Sequence, residues 1–369
     1  MRIGLISADF APNVGGVAAH VVGLGIGLVD LGHSVHIITL PLGDQRAAES
    51  IWLGMTVHRP NLPKMQPFYT LLLRRWLRRF LESCPLDVVH VHGLRPLQAT
   101  RHLKLPVVFT NHTSGFLRRL DRGARQRHEL AARLAHVRHV IAPSEELAEA
   151  TRTVGFDGPV SFIPNGVDTT RFHPGPTPYR ERWGVTPQEV VVLLARRLVD
   201  KNGVTVFAAA AAELRGLPVK LVFAGDGPER SKVSAILRRV NMYDRALFLG
   251  NIPNTEMPDI YRAADLSVLP SFLEATSITG LESMASGLAL VGTRVGGIPT
   301  LIEDGASGLL VPPGDPVALG HALRDLVQDP ARRLAMGEQA RARAIKRFAW
   351  PRIATDTLSV YEQYVGRVA

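Results

Sequence analysis

A run of six consecutive apolar residues, at 190–195, constrains the fold more than any other feature of the sequence. A short apolar run without alternation is typical of a strand buried on both faces, as in parallel sheets covered by helices. Comparable runs recur along the chain, and segments with helical periodicity separate them. This alternation predicts an α/β protein with parallel sheets, whose strands we place at Ile3–Ser7, Val35–Thr39, Val88–His92, Val107–Thr110, Val140–Ala142, Val190–Ala195, Val219–Ala224, Ala246–Leu249, Leu266–Pro270, Ala289–Gly292 and Gly308–Val311.

The length predicts two domains. A chain of 369 residues is long for one hydrophobic core and sufficient for two. A proline-rich stretch from His173 to Pro178 interrupts the alternation and indicates a linker. We therefore predict a first domain at 1–172, a linker at 173–187, a second domain at 188–349 and a terminal helix in 350–369.

The composition favours a cytoplasmic protein that does not span a membrane. No apolar run reaches the ~18 residues that cross a bilayer. The amino-terminal apolar stretch is too short, and becomes polar too soon, for a signal peptide. Cys84 is the only cysteine, which excludes an intramolecular disulfide and fits a reducing compartment.

Basic residues follow the apolar run at 190–195. Arg197 and Lys201 come soon after its end. In open α/β sheets, ligands bind at the carboxyl ends of the strands. A guanidinium fork and an ammonium group at such an end suit a diphosphate.

Glu274 and Glu282 lie on a predicted strand, loop and helix, with Ser277 and Thr279 available to cap the helix. The N-terminus of a helix attracts phosphate, because its backbone N–H groups are free and its dipole is positive there. Ionised carboxylates accept hydrogen bonds from vicinal sugar hydroxyls. Taken alone, the two glutamates are equally compatible with solvated side chains.

Five motifs occur in the same order as in the family 4 retaining glycosyltransferases. They span almost the whole chain and are Gly15-Gly16-Val17, Ile163–Asp168, Arg197–Gly203, Ala224–Glu229 and the pair Glu274 and Glu282. The chain therefore resembles this family. The resemblance implies the GT-B fold, in which two Rossmann-like domains face each other across a cleft and a C-terminal helix crosses back to the first domain.

The resemblance also implies a reaction. A sugar would pass from a UDP- or GDP-linked donor to a hydroxyl acceptor, with retention of the anomeric configuration and without a metal. Front-face attack is expected, in which the leaving phosphate oxygen accepts the acceptor's proton. The acceptor could be a lipid-linked glycan, a polysaccharide or a small molecule.

Site residues follow from the same resemblance. Catalytic roles fall to Arg197, Lys201, Glu274 and His112, and Glu282 would hold the ribose hydroxyls. Donor contacts are expected from Gly16, Gly225, Gly227, Ile252, Ser277, Ile278, Thr279 and Glu282. Acceptor-side contacts are expected from Gly15, Gly16 and His112.

Two departures from the family pattern affect these expectations. Ala275–Gly280 replaces the Gly-Phe-Gly that follows the first glutamate in many relatives, so the sugar cannot be inferred. Asn202 stands where many relatives have the lysine, and we assign that role to Lys201, one position earlier.

Glycines in the first domain admit other interpretations. Gly15 and Gly16 precede a helix, where they bring backbone N–H groups toward a ligand or form an ordinary turn. Gly23, Gly25 and Gly27 have the wrong spacing for a dinucleotide fingerprint, and no P-loop sequence follows Gly16. Binding of a nicotinamide cofactor is therefore not expected.

His90, His92 and His112 suggest a metal, but no nearby cysteine or carboxylate cluster completes a ligand set. The chain also lacks the Asp-x-Asp motif of the other main class of glycosyltransferases. We therefore predict neither metal nor cofactor, with His90 and His92 packed near the cleft.

The net charge is +10, of which +7 lies in residues 1–172. Arg74, Arg75, Arg78 and Arg79 alternate with apolar residues and predict an amphipathic helix with a basic face. Such a helix either contacts an anionic membrane or buries its apolar face in the domain. A second basic cluster comprises Arg118, Arg119, Arg122, Arg125 and Arg127. No nucleic-acid motif accompanies the charge, so nucleic acid is not an expected partner.

Two other functions are compatible with the same architecture. One is a nucleotide-sugar epimerase, which needs no acceptor. The other is a non-catalytic nucleotide-binding subunit of a glycan assembly complex, against which the charged residues at the expected site positions argue.

Overall fold

A computed structural model describes residues 1–11, 15–41, 48–63, 65–112, 116, 120 and 123–366. Contacts divide the chain into two compact units. The first comprises Met1–Gly166 with Trp350–Ala369, and the second comprises Val167–Ala349. The stretch 173–187 belongs to the second unit, where Tyr179 and Trp183 pack against the core.

The first unit contains a sheet whose strands, where described, are β1 (Arg2–Ser7), β2 (Ser34–Ile38), β3 (Ala48–Trp52), β4 (Met55–Arg59), β5 (Val88–His92), β6 (Val107–Thr110), β7 (His139–Ala142) and β8 (Val160–Phe162). Their order is β3-β4-β2-β1-β5-β6-β7-β8, and every pairing is parallel except that of β3 with β4. The helices are α1 (Gly16–Asp30), α2 (Phe68–Ser83), α3 (Leu94–Leu97), α4 (Ala124–Leu134), α5 (Glu145–Thr153) and the C-terminal helix Trp350–Glu362, with a 3₁₀ turn at Gln98–Thr100.

The second unit contains an all-parallel sheet of β9 (Val190–Ala195), β10 (Val219–Ala224), β11 (Ala246–Gly250), β12 (Leu266–Leu269), β13 (Ala289–Thr293) and β14 (Gly308–Val311). Its helices are α6 (Tyr179–Arg182), α7 (Val204–Ala210), α8 (Arg230–Arg239), α9 (Met257–Arg262), α10 (Ile278–Ala285), α11 (Ile298–Leu301), α12 (Pro316–Gln328) and α13 (Pro330–Arg343). Short 3₁₀ turns lie at Asp200–Asn202, Ala211–Leu214 and Tyr243–Arg245, and a π-helical turn lies at Ala344–Phe348.

Both sheets reverse their strand order at one point. The second sheet runs β11-β10-β9-β12-β13-β14, which is the doubly wound Rossmann order with its reversal between β9 and β12. The first sheet reverses between β1 and β5. Ligands of such sheets bind at the carboxyl ends of the strands that flank the reversal.

The predicted α/β class with two parallel sheets is confirmed. Every residue of β9 is buried, as its uninterrupted apolar run predicts. The predicted helix at 72–81 begins earlier and ends later, at Phe68 and Ser83. The antiparallel pair β3 and β4 was not predicted from the sequence.

The C-terminal helix packs within the first unit, against small residues of α1. A Cβ atom at Gly23 would lie 2.0 Å from the Trp350 ring, and one at Gly27 would lie 2.8 Å from the Cβ of Ala354. No side chain fits at these distances, so the glycines inside α1 serve helix packing. The predicted return of the last helix to the first unit is confirmed.

Helix α2 divides its apolar residues between the core and the solvent. Tyr69, Leu73 and Leu77 are buried, whereas Phe68, Leu71 and Leu72 are exposed. Of the second predicted basic cluster, Arg118, Arg119 and Arg122 lie outside the described residues. Across the described part of the chain, we find no helix with the length and apolarity needed to span a bilayer.

Candidate active site

Strands β9 and β12 bring the predicted charged residues to the same edge of the second sheet. Arg196 and Arg197 follow the last residue of β9, and Ser271 to Glu274 follow β12. Because these two strands are neighbours at the reversal point, their following loops meet. The local sequence thus places cations from one loop beside a carboxylate from the other.

Arg196 is the partner of Glu274. Its guanidinium donates one hydrogen bond to Glu274 Oε2 and another to the hydroxyl of Ser271. The Arg196 side chain is 9% exposed and that of Glu274 is 14% exposed, so this ion pair is largely shielded from water. Sequence reasoning named Arg197 and missed Arg196, although its position directly after a buried strand was an available signal.

A cavity of about 260 Å³ lies beside this pair. It contains most of the predicted catalytic and donor-contacting side chains of the second unit, together with Arg196 and Asn202. Its lining residues are Arg196, Arg197, Val199, Lys201, Asn202, Glu274, Thr276, Ser277, Ile278 and Thr279. Three cationic groups and one carboxylate therefore surround a space that also carries hydroxyl groups.

The turn at Asp200–Asn202 holds Lys201 at this cavity. The carbonyl of Lys201 accepts hydrogen bonds from the backbone N–H of Phe272 at 2.9 Å and of Leu273 at 3.3 Å. Asn202 is buried and donates from Nδ2 to the carbonyl of Arg197 at 2.8 Å. Asn202 therefore stabilises the loop that carries Arg197, while Lys201 lines the cavity.

Gly225 and Gly227 pack against the backbone of the same loop. A Cβ atom added at Gly225 would lie 2.1 Å from the carbonyl oxygen of Arg196. One added at Gly227 would lie 2.3 Å from the carbonyl oxygen of Leu198. Both positions exclude a side chain, and Gly225 also has φ +145°. This close approach explains both glycines structurally, and their contact with a donor stays a prediction.

The N-terminus of α10 faces the cavity through Ser277, Ile278 and Thr279. Ser277 caps the helix by accepting a hydrogen bond from the N–H of Gly280 at 3.1 Å. This cap satisfies one of the free N–H groups at the helix start, and the first turn has no acidic residue. The end of the helix therefore keeps a positive potential suited to an anion.

Glu282 lies one turn further along α10 and is 7% exposed. Its Oε2 accepts a hydrogen bond from the hydroxyl of Tyr261 at 2.8 Å. Burial raises the pKa of Glu282 to about 7, although Tyr261 and the charge of Arg171 act in the opposite direction. Burial, followed by the charge of Glu282, raises the pKa of Tyr261 well above its ordinary value, so its hydroxyl stays a donor.

Ile252 lies just after β11 and packs, partly buried, against the core of the second unit. On β11 itself, the ring centroid of Phe248 lies 4.9 Å from the Arg230 guanidinium. The predicted contact of Ile252 with a base stays a prediction.

In the first unit, Gly15 and Gly16 come after β1, which flanks the reversal, and His112 comes after β6, the neighbour of β5. Gly15 precedes α1, and a side chain there would meet no atom within 4 Å. The helix start has neither a side-chain cap nor an acidic residue in its first turn. His112 Nε2 lies 3.0 Å from His92 Nδ1, and the His20 ring centroid is 4.4 Å from that of His112.

Two families match the chain in succession. The family described as Glycosyltransferase Family 4 matches residues 14–171, and that described as Glycosyl transferases group 1 matches residues 177–343. A D-inositol 3-phosphate glycosyltransferase of Xylanimonas cellulosilytica is 30% identical, over 76% of this chain and 73% of that protein. This chain is a family 4 glycosyltransferase. A further relative, D-inositol 3-phosphate glycosyltransferase 2 of Catenulispora acidiphila, is 29% identical over 99% of this chain and 95% of its own.

Solved structures show the same fold. Sucrose-phosphate synthase from Thermosynechococcus elongatus superimposes with a TM-score of 0.85 at 24% identity, covering 98% of each chain. HepE of Anabaena, in complex with UDP and glucose, gives a TM-score of 0.80 at 20% identity, covering 98% of this chain and 100% of its own. The predicted GT-B fold of this glycosyltransferase is therefore confirmed.

Proposed function

We propose that this glycosyltransferase transfers a sugar from a UDP- or GDP-linked donor to a hydroxyl acceptor, retaining the anomeric configuration and requiring no metal. The observation that carries the proposal is the cavity at the reversal of the second sheet, which combines three cationic side chains, one carboxylate and a helix N-terminus.

The charges of the cavity fit a nucleoside diphosphate sugar. Arg196 is matched by Glu274, which leaves the charges of Arg197 and Lys201 for a ligand. A diphosphate diester carries two negative charges, so these two cations balance it. During departure of the diphosphate, Arg197 and Lys201 stabilise the charge that grows on its leaving oxygen.

Glu274 and Glu282 supply acceptors for hydroxyl groups. Arg196 holds one carboxylate oxygen of Glu274, so the other is oriented for the transferred sugar. Glu282 would accept from the ribose, and the hydrogen bonds of ribose hydroxyls favour its ionised form. The complex of HepE with UDP supports a nucleotide in this fold, at low sequence identity.

The chemical step needs no protein nucleophile. The acceptor oxygen bonds to the anomeric carbon on the face from which the phosphate oxygen departs, and that oxygen takes the acceptor's proton. Among the residues that line the cavity, Glu274 is the one carboxylate, and its ion pair with Arg196 fixes it as a hydrogen-bond acceptor.

Calorimetric titration with UDP, GDP and ADP, each with and without a chelator, tests the donor site. One diphosphate should bind equally well with the chelator present. Arg197→Ala should weaken binding, whereas Glu338→Gln, at an exposed glutamate of α13, should not. Loss of binding in chelator would refute metal independence, and failure of the folded protein to bind any of the three would refute the donor assignment.

We also propose that α2 contacts the inner face of an anionic membrane. The exposed fractions of Met65, Phe68, Leu71 and Leu72 are 64, 53, 61 and 41%, respectively. Arg75, Arg78 and Arg79 are exposed on the same helix, and Arg74 is half-buried. Apolar side chains beside arginines suit the boundary between lipid headgroups and acyl chains.

Vesicle sedimentation tests this surface. Each arginine near an anionic membrane contributes about 1 kcal/mol. Changing Arg75, Arg78 and Arg79 to Ala should therefore weaken binding to vesicles with anionic lipid about 100-fold. The matched control removes the same number of exposed arginines from the second unit, in a variant that combines Arg215→Ala, Arg239→Ala and Arg332→Ala. Equal binding to neutral and anionic vesicles would refute the proposal.

The acceptor is expected to carry a hydroxyl and to tolerate a positive surface. The two relatives are named for D-inositol 3-phosphate, a phosphorylated polyol. The net charge of +7 in residues 1–172 suits such an anionic acceptor as well as a lipid-linked glycan. Transfer assays that compare the two acceptor classes distinguish them.

A further inference from the structure

Three histidines converge in the first unit from separate elements. His20 lies on α1, His92 ends β5 and His112 follows β6. One ring nitrogen from each can be chosen so that the three atoms lie within 4.8 Å of one another. The topology brings them together because β5 and β6 are adjacent and α1 follows the neighbouring strand β1.

The ring of His20 has a hydrogen-bond partner of the kind that metal ligands have. His20 Nδ1 lies 2.7 Å from Asn165 Oδ1, which fixes the orientation of the ring and leaves Nε2 available. Metal-bound histidines usually make such a bond through the other nitrogen. The ring of Trp350, with its centroid 5.4 Å from that of His20, supplies an apolar wall.

A buried nitrogen of this cluster has no hydrogen-bond partner. His92 is 2% exposed, and its Nε2 makes no hydrogen bond in the structure. An unpaired buried polar atom costs about 1–3 kcal/mol. An ion at Nε2 would offset this cost, whereas an ion at Nδ1 would replace the contact of that nitrogen with His112. His90, which lies behind His92, is different, because Tyr361 and Thr110 satisfy both of its ring nitrogens at 2.6 Å.

The three imidazoles are neutral near pH 7. Burial lowers the pKa of His20 to about 4, and burial together with the neighbouring histidines lowers the pKa of His92 and of His112 well below the ordinary value. Neutral imidazole is the form of histidine that binds a metal.

We propose that His20, His92 and His112 form a binding site for a divalent transition-metal ion, for which Zn²⁺ is the natural probe. Imidazole ligands suit zinc, copper and nickel rather than Mg²⁺ or Ca²⁺, which prefer oxygen. Three histidines leave a fourth position open in tetrahedral coordination. His112 is the half-buried member of the three.

The geometry requires only small side-chain movements. Zinc–nitrogen bonds of about 2.0–2.1 Å place tetrahedral ligand atoms about 3.4 Å apart. His92 Nδ1 and His112 Nε2 are already 3.0 Å apart, and the three ligand atoms all lie within 4.8 Å of one another, so shifts of about 1.4 Å or less bring them to this spacing. Within the described residues the cluster contains no carboxylate, so the bound ion keeps both of its positive charges.

The three histidines belong to the first unit, whereas the proposed donor cavity belongs to the second unit. The proposal of a metal site rests on the three imidazoles and not on the proposed transfer reaction. If His112 contacts substrate, an ion bound here would remove it from that role and inhibit transfer.

Direct metal binding tests the proposal without any substrate. The whole 369-residue chain is stripped with a chelator and titrated with Zn²⁺ in competition with a chromophoric chelator. We expect one ion per chain, and Co²⁺ should give the visible absorption of a tetrahedral nitrogen site. Asn165→Ala should weaken binding by about 10–100-fold, because loss of a residue that orients a ligand has this effect.

Variants separate this cluster from other histidines. His20→Gln and His92→Gln should each weaken binding more than Asn165→Ala does. His58→Gln is the matched control, because His58 is also a buried histidine, lies 3.1 Å from His36 and is not part of the cluster. Unchanged affinity in both cluster variants, or no stoichiometric binding by the wild-type protein, overturns the proposal. If either glutamine variant fails to fold, the Asn165→Ala affinity and the Co²⁺ spectrum decide.

Discussion

Glu282→Gln should make the protein more stable at pH 8 and weaken nucleotide binding. Burial raises the pKa of Glu282 from 4.5 to about 7, so the folded state holds the proton more tightly than the unfolded state does. Ionisation of this side chain therefore opposes folding. The penalty is absent below pH 4.5, grows between pH 4.5 and 7, and is constant above pH 7.

The pKa shift sets the size of the effect. A difference of about 2.5 units corresponds to about 3 kcal/mol at pH 8, and at pH 5 the penalty is below about 1 kcal/mol. The amide of glutamine resembles the neutral acid but adds a donor that needs a partner, which costs about 1 kcal/mol. The net gain is about 2 kcal/mol at pH 8, or about 4–8 °C in the midpoint of a unit of this size, and close to zero at pH 5.

Differential scanning calorimetry of the wild-type and Glu282→Gln proteins measures the difference in thermal midpoint at pH 5 and at pH 8. Calorimetric titration with the preferred diphosphate should show an affinity lower by about 10–100-fold, because an ionised acceptor is lost. An equal difference in midpoint at the two pH values would refute the assigned burial. A lower midpoint for the variant at pH 8 would refute the sign of the argument.

Three further variants test other contacts. Tyr261→Phe removes the hydrogen bond to Glu282, so the pH at which nucleotide affinity rises should shift upward in titrations between pH 6 and 9. Arg196→Met leaves Glu274 without its partner, which should lower the free energy of unfolding by about 3 kcal/mol and the thermal midpoint by about 6–12 °C. Adding Glu274→Gln should restore part of the lost stability, and additive effects of the two substitutions would contradict the pairing. Gly203→Ala would place a Cβ atom 1.7 Å from the carbonyl oxygen of Pro270. The thermal midpoint of this variant should be lower than that of Gly216→Ala, where φ is also positive but no atom lies within 4 Å.

The fold was predictable where the physical signal is local. The strands of the second unit are buried on both faces, so their sequences lack polar interruptions and their bounds could be read from the chain. The bounds of β3 and β4 could not be predicted from the sequence, because the turn between them is Leu53-Gly54, with φ values of 48° and 77°. Leucine rarely adopts positive φ, so this turn has the glycine of a typical two-residue hairpin turn but not the asparagine, aspartate or glycine that usually precedes it.

The site was predictable by residue type but not by pairing. The order of β9 and β12 in the sheet, which is a property of the whole unit, decides that Arg196 reaches Glu274. Two adjacent arginines in a sequence do not show which of them turns toward the carboxylate. The same holds for Tyr261, which lies on α9 and reaches Glu282 on α10 only once the unit has folded.

The two glutamates show how one site obtains different properties from one residue type. Glu274 has an arginine partner, so it can remain charged while largely shielded from water. Glu282 accepts its hydrogen bond from the neutral hydroxyl of Tyr261, and burial raises its pKa. Hydroxyl groups of a ligand would supply donors that Glu282 lacks. Because a carboxyl with a pKa of about 7 is about half protonated at pH 7, binding would then release up to about half a proton per site. Titration in buffers of different ionisation enthalpy measures this proton directly, and a heat that is independent of the buffer would show that Glu282 does not contact the nucleotide.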